Sequence, residues 1–240
     1  MKTMIITQAR MGSTRLPGKV LLKVKDKAIL EYHLQRLEFA DVPMIVATTN
    51  DRVDDEIATI CEVMKISCFR GSNEDVLDRY YRCAMDNKCD TIIRVTSDCP
   101  LIDGGLIKEA LGVFETEPVD YLSNTLARTY PRGFDFEIFS MKALEVAFLN
   151  ANDRPEREHV TSYIWRNRAD KFRLLNYSCT ENRPDYRITL DYEDDLLLIR
   201  ELIEKYQADK KDYKEIISIL NNNPYISELN SGIIQKEYGE

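Results

Sequence analysis

The sequence predicts an α/β protein built on a mainly parallel sheet with helices on both faces, and three observations lead there. Short apolar runs of strand length alternate with helix-period segments from Met4 to Thr116. The runs are nearly continuous in apolar residues, as expected of strands buried on both faces. A glycine-containing, cation-rich loop follows the first run directly, at the carboxyl end of a strand, where open α/β sheets take their ligands.

In order, Met4–Thr7 reads as the first strand, Ile29–Phe39 as a helix, Met44–Thr48 as a strand and Val53–Met64 as a helix. Thr49-Asn50-Asp51 supplies capping residues ahead of that helix, and Asp54, Asp55 and Glu56 complement its dipole. A strand at Ser67–Phe69, a helix at Val76–Asn87, a strand at Thr91–Val95 and a helix at Gly105–Thr116 complete the βαβ rhythm. After Asp120 the pattern changes: a strand at Tyr121–Asn124, a turn at Thr129–Gly133 and an alternating strand at Phe134–Phe139 suggest a β-hairpin or excursion. Helices near Lys142–Leu149 and Glu156–Arg166, strands near Phe172–Tyr177 and Arg187–Thr189, and a long helix from Glu193 to Tyr206 follow. Asp212–Leu220 reads as a short amphipathic helix broken by Asn221-Asn222-Asn223-Pro224, and the final residues read as a flexible tail. The expected organisation is one main domain over 1–206, with an excursion over 121–166, and a C-terminal helical appendage and tail over 207–240.

The loop Gln8-Ala9-Arg10-Met11-Gly12-Ser13-Thr14-Arg15-Leu16-Pro17-Gly18-Lys19 is the most informative segment. Backbone N–H groups near glycine can turn toward phosphate oxygens with no Cβ in the way, and Arg10, Arg15 and Lys19 supply charge. It is not a Walker loop, because five residues separate Gly12 from Gly18 and Val20 follows Lys19. Nor does Gly12-Ser13-Thr14 fit the G-x-G-x-x-G dinucleotide spacing. The plainer alternative is a basic surface loop in which Pro17-Gly18 is a turn.

Bulk properties narrow the class. A length of 240 residues suits one large domain, and a net charge of −8 argues against a general nucleic-acid binder, which needs a basic face. Six cysteines without a C-x-x-C pair, and two histidines, give little material for zinc and read as reduced structural thiols. No apolar run approaches the roughly 20 residues that span a bilayer, and no signal-peptide pattern opens the chain, so a soluble, cytoplasmic protein is expected.

Other constellations sit at the same sheet edge. In Thr96-Ser97-Asp98-Cys99-Pro100, Asp98 stands just past a strand, suited to Mg²⁺, which takes one or two carboxylates together with phosphate oxygens and water. Its alternative is an Asx turn before Pro100. Asp191, in Leu190-Asp191-Tyr192-Glu193, is either a second metal carboxylate or a helix N-cap. Arg70-Gly71-Ser72 could read a base or merely cap the next helix, and Tyr130–Glu137 brings Arg132 near acidic Asp135 and Glu137. His159 is one of two histidines and more often a structural type of residue; His33, on a helix, reads as structural.

Taken together, Gln8–Lys19, Arg70–Arg79, Arg94–Asp103, Tyr130–Phe139, Glu156–Thr161 and Arg187–Asp195 resemble, in order, the cytidylyltransferase family of CMP-sialic acid and CMP-KDO synthetases, most closely its spore coat polysaccharide biosynthesis protein F branch. The resemblance implies a Rossmann-like nucleotide-diphospho-sugar transferase fold and transfer of CMP from CTP to an acidic sugar, with release of pyrophosphate. It implies that Ala9, Arg10, Gly12, Ser13, Arg15, Lys19, Arg70, Ser72 and Thr96 hold the nucleotide, that Arg10, Lys19 and Asp98 act in catalysis, and that Asp98 and Asp191 hold Mg²⁺. Arg132, Glu137 and His159 are then expected near the acceptor, and a homodimer is expected, with Tyr121–Arg166 as its interface. Two competing readings are a nucleotide-sugar glycosyltransferase, which usually carries a D-x-D pair that Ser97-Asp98-Cys99 lacks, and a non-catalytic nucleotide-binding protein.

Overall fold

A computed structural model describes residues 1–167 and 170–235. Among these, a seven-stranded sheet has the spatial order β5-β4-β1-β6-β8-β7-β9. The strands are β1 (Thr3–Gln8), β4 (Met44–Thr49), β5 (Ser67–Gly71), β6 (Thr91–Thr96), β7 (Tyr121–Ser123), β8 (Glu137–Ser140) and β9 (Leu174–Asn176); β2 (Lys23–Val24) and β3 (Lys27–Ala28) form a separate small hairpin. β1 pairs in parallel with β4 and β6, and β4 with β5, whereas β8 runs antiparallel to both β6 and β7. The expected βαβ half and the expected excursion are therefore joined in one sheet.

The helices are α1 (Ile29–Leu37), α2 (Asp55–Met64), α3 (Val76–Asp86), α4 (Gly104–Thr116), α5 (Met141–Asn150), α6 (Arg154–Glu158), α7 (Ser162–Arg166), α8 (Glu193–Tyr206), α9 (Tyr213–Asn222) and α10 (Pro224–Glu228). Because side chains alternate across a strand, β1 and β6 feed two cores at once. Ile5, Ile93 and Val95 pack with α4, α8 and α9, while Met4, Ile6 and Ile92 pack with α3, α5 and α7. Each of these apolar side chains is nearly or fully buried, so truncating one to alanine would cost about 2–5 kcal/mol. Ile216, Ile217, Leu220 and Ile226 of α9 and α10 belong to the same core as Ile5. Among the described residues no helix is long and apolar enough to cross a membrane.

Several local expectations change. The single helix expected over Glu156–Arg166 is two short helices, split where Val160 takes φ 60°. That conformation is costly for a β-branched residue, and Val160 holds it while fully buried. The strand expected at Phe134–Phe139 starts at Glu137, because Asn124 satisfies the preceding backbone: its amide donates to Phe134 O and its oxygen accepts from Phe136 N. The strand expected at Arg187–Thr189 is reduced to one bridge between Arg187 and Arg132. The break at Asn221–Pro224 ends α9, but Pro224 then opens α10 rather than a tail; of the expected tail, residues 236–240 lie outside the described residues.

Candidate active site

The loop after β1 folds back on itself because the Met11 carbonyl accepts from both Ser13 N, at 2.9 Å, and Gly18 N, at 3.0 Å. Gly18 takes φ 67°, the left-handed turn that glycine adopts without strain, and delivers Lys19 into a short 3₁₀ turn, Lys19–Leu21. From the other side, Met11 N donates to Asp54 at 2.7 Å, and buried Asp54 is itself held by the Thr49 hydroxyl. Gly12 is exposed, with open space where a Cβ would stand, so nothing inside the chain requires glycine there.

This loop, the ends of β1 and β6, and the start of α3 enclose a cleft of about 410 Å³. Ala9, Arg10, Ser13, Arg15, Lys19, Thr96, Asp98 and His159, all expected from sequence, line it. Arg10 lines the cleft as a cation that, among the described residues, makes no ion pair. Arg15 and Lys19 are engaged instead. Lys19 Nζ lies 2.8 Å from Asp98 Oδ2, 2.9 Å from Asp191 Oδ1 and 2.8 Å from Leu190 O, and the Arg15 guanidinium lies 2.5 Å from Asp191 Oδ1 and over the Tyr192 ring.

Asp98 and Asp191 are therefore neighbours, brought together partly by Leu190 N donating to Asp98 O at 2.8 Å. Burial pushes the Asp98 carboxyl upward, but the Lys19 charge and hydrogen bonds from Lys19 and Thr96 outweigh it and hold the group at about 2. Burial likewise opposes the charge on Lys19, and the two carboxylates overcome it, raising its pKa. Neither carboxylate does the backbone work of the plainer readings. Asp98 accepts from side chains, and the cap of α8 is made by Asp195 Oδ2, which accepts from Asp191 N at 2.8 Å and Tyr192 N at 3.0 Å.

Two carboxylates that share a single ammonium can share a metal ion, and their oxygens are the hard donors that Mg²⁺ prefers. Among the described residues no group of three or more acidic, histidine or cysteine side chains forms a metal site, so phosphate oxygens and water would have to complete this one.

A second compartment, of about 340 Å³, adjoins the first and shares Arg94, Thr96 and His159 with it. Glu137 and Thr161 line it, with Arg128 and Asp135 forming a two-point ion pair at 2.6 and 2.7 Å and Trp165 and Phe136 adding apolar wall. Glu137 is buried and accepts from Arg94, Thr161 and, at 2.6 Å, the Tyr121 hydroxyl. His159 caps the dividing wall from the turn between α6 and α7. That turn is fastened by Arg157 on Asp75, at 2.5 Å, and by Thr161 on Glu137. Burial, and then the Arg94 charge, lower the His159 pKa and favour the neutral ring.

Gly12 and Asp191 adjoin the cleft through Ser13 and through Arg15 and Lys19 without lining it, and three further expected site residues lie elsewhere. Arg70 lies outside both compartments, its guanidinium spent on Thr49 O at 2.8 Å, Asp51 O at 2.7 Å and Asp55 at 2.5 Å. The Ser72 hydroxyl accepts from Asp75 N at 3.0 Å, and Asp75, not Ser72, caps α3 by accepting from Asp78 N at 2.9 Å. Arg132 faces a separate depression shared with Tyr186, Arg187 and Asn230, because its backbone is locked to Tyr186 O and Ile188 N.

Conversely, sequence reasoning missed Arg79 and Arg94. Arg79 is 1% exposed, lines the cleft and donates to Ser72 O, and among the described residues its Nε and that of Arg94 have no hydrogen-bond partner. Burial, and then nearby Arg10, lower the Arg79 pKa. The signal was present: Arg79 falls on the buried face with Val76, Leu77, Tyr80 and Cys83, and Arg94 interrupts the apolar run Ile92-Ile93-Arg94-Val95. Charges in such places need a partner or a ligand.

A family model described as Cytidylyltransferase matches residues 4–230. The spore coat polysaccharide biosynthesis protein SpsF of Bacillus subtilis is 32% identical, across 92% of this chain and 95% of that protein. A 3-deoxy-manno-octulosonate cytidylyltransferase of Mesorhizobium japonicum is 32% identical over 50% of this chain and 51% of its own length. The solved structure of a cytidylyltransferase from Leptospira borgpetersenii serovar Hardjo-bovis superposes with a TM-score of 0.91 at 33% identity, covering 99% of this chain and all of that one.

Proposed function

The chain belongs to the cytidylyltransferase family, and from that premise we propose that it transfers CMP from CTP to a hydroxyl of an acidic sugar, releasing pyrophosphate, in the assembly of a surface polysaccharide. The observation that carries the reading is the pair of adjoining compartments with Arg94, Thr96 and His159 in their common wall. Attack on a phosphorus needs nucleophile and nucleotide on either side of one point, and holding them there supplies much of the rate.

On this reading the cleft floored by the β1 loop takes the triphosphate. Arg10 and Arg79 meet phosphate oxygens, and Lys19 and Arg15 exchange their carboxylate partners for the leaving pyrophosphate, neutralising charge as it develops. Asp98 and Asp191 hold Mg²⁺, which would supply further charge neutralisation when bound. Glu137 keeps Arg94 oriented at the dividing wall. The neutral His159 ring is in the protonation state needed to take the proton of the attacking hydroxyl. Arg128, Asp135, Thr125 and Trp165 surround the sugar.

The test is pyrophosphate release by the purified chain with each nucleoside triphosphate, against a panel of 3-deoxy-manno-octulosonate, sialic-acid-type sugars and neutral sugars. Release should require CTP, a divalent cation and one of the acidic sugars. Release with a neutral sugar at the same rate, or equal use of all four nucleotides, would overturn the proposal.

A further inference from the structure

We propose that Asn230 is a positioning residue for Asp191, so that the C-terminal segment tunes metal affinity at the two carboxylates that share Lys19. The proposal rests on the reading of Asp191 as a metal ligand. Asp191 Oδ1 meets Arg15 and Lys19, two cations that line the cleft, while Oδ2 is held from behind by Arg187 Nη2 at 2.8 Å. Arg187 therefore sets which oxygen meets Lys19. Its own fork is fixed on buried Asp195, Nε to Oδ1 at 2.9 Å and Nη2 to Oδ2 at 3.1 Å.

Asp195 is 1% exposed, and Asn230 completes its shell, Nδ2 donating to Oδ1 at 2.8 Å. The same Nδ2 donates to Arg187 O at 3.0 Å. One amide thus joins both ends of the 187–195 segment that carries Asp191. Asn230 is itself buried, and it is delivered there by α10, whose Ile226 is fully buried in the main core. Arg187 is the outer partner that meets the ligating carboxylate, and removing a partner of that kind typically weakens metal binding about 10–100-fold; Asn230 acts one contact further back, by fixing Arg187 and Asp195.

The experiment uses the full chain. Mn²⁺ binding in the presence of CTP is followed through the electron paramagnetic resonance signal of the free ion, beside the Mg²⁺ dependence of pyrophosphate release, for the parent, Asn230→Ala and Asp191→Asn. Asn230→Ala should weaken Mn²⁺ binding about tenfold, the low end for an outer partner, raise half-saturation by Mg²⁺ in parallel and recover the parent kcat at saturating Mg²⁺. Parent-like Mn²⁺ binding in Asn230→Ala, with binding lost in Asp191→Asn, would overturn the proposal and leave the ligand reading standing. Parent-like binding in Asp191→Asn would overturn both. A lower kcat that excess Mg²⁺ does not restore would mark Asn230 as a merely structural residue and also overturn the proposal. Should Asn230→Ala fail to melt cooperatively, Asp195→Asn, which keeps shape but drops the charge holding Arg187, decides by the same readouts.

Discussion

Asp98 and Asp191 close on one ammonium, Lys19 Nζ standing 2.8 Å from the first and 2.9 Å from the second. Two carboxylates that share one ammonium would repel without that cation between them, so Lys19 holds the pair together. Lys19→Met should destabilise the chain by about 1–3 kcal/mol, and Mg²⁺ should raise the melting temperature of this variant more than that of the parent. Turnover at saturating CTP should fall about 10²–10³-fold. Melting curves with and without Mg²⁺ check the first part and pyrophosphate release the second; identical Mg²⁺ responses would refute the shared-cation account.

Asp98 stays ionised at every working pH, since Lys19 and Thr96 override its burial and hold it at about 2. Asp98→Asn should abolish divalent-dependent turnover while leaving the circular dichroism spectrum unchanged, and chelation of metal from the parent should have the same effect. A variant that released pyrophosphate at the parent rate would remove Asp98 from the metal site.

His33 supplies a pH dependence of stability. It is fully buried, its Nε2 2.8 Å from the Thr7 hydroxyl and its Nδ1 2.9 Å from the Cys99 carbonyl, so the neutral ring donates through Nδ1 and accepts at Nε2. Burial lowers its pKa from 6.5 to about 4. The folded value lies below the unfolded one, so the unfolded chain binds the extra proton between them. Stability from this group is complete above about pH 6.5 and is lost as pH falls toward about 4, by on the order of 3 kcal/mol. Urea unfolding from pH 7.5 to 4.5 should show this decline, and His33→Gln should flatten it.

Gly133 takes φ 110°, and a Cβ there would stand 2.8 Å from Ile188 C and 2.9 Å from Ile188 O. Neighbouring Arg132 holds the strand remnant that leads to Asp191, accepting from Ile188 N at 2.7 Å. Gly133→Ala should cost about 2–3 kcal/mol, read from the urea midpoint, and also raise half-saturation by Mg²⁺. A variant of parental stability would show that the backbone here shifts freely.

The parallel half of the fold was legible in the sequence because its strands are apolar on both faces and its helices keep a 3.6-residue period, as in Met44–Thr49 and Val76–Asp86. The hairpin of β2 and β3 was not: its turn places Lys25 at φ 54°, with no glycine or asparagine to announce it. Val160 at φ 60° is equally silent, since only packing forces a β-branched residue into that region. The site divides in the same way. All four cations Arg10, Lys19, Arg79 and Arg94 line the cleft, but only those in a loop after a strand draw attention in the sequence; Arg79 and Arg94 are hidden inside elements whose apolar period already accounts for them. Arg132 misled because sequence distance from Glu137 says nothing of the backbone lock to Tyr186 that turns it away.

The two compartments draw on different stretches of chain. The walls of the first come mostly from residues before Cys99, and apart from the shared Arg94 and Thr96 with the Val95 between them, those of the second come from residues 125–165. If that division is also one of labour, acceptor choice and nucleotide choice can drift apart during evolution. A lineage could then retarget the enzyme to a new sugar by rewriting the later stretch alone, keeping its energy currency unchanged.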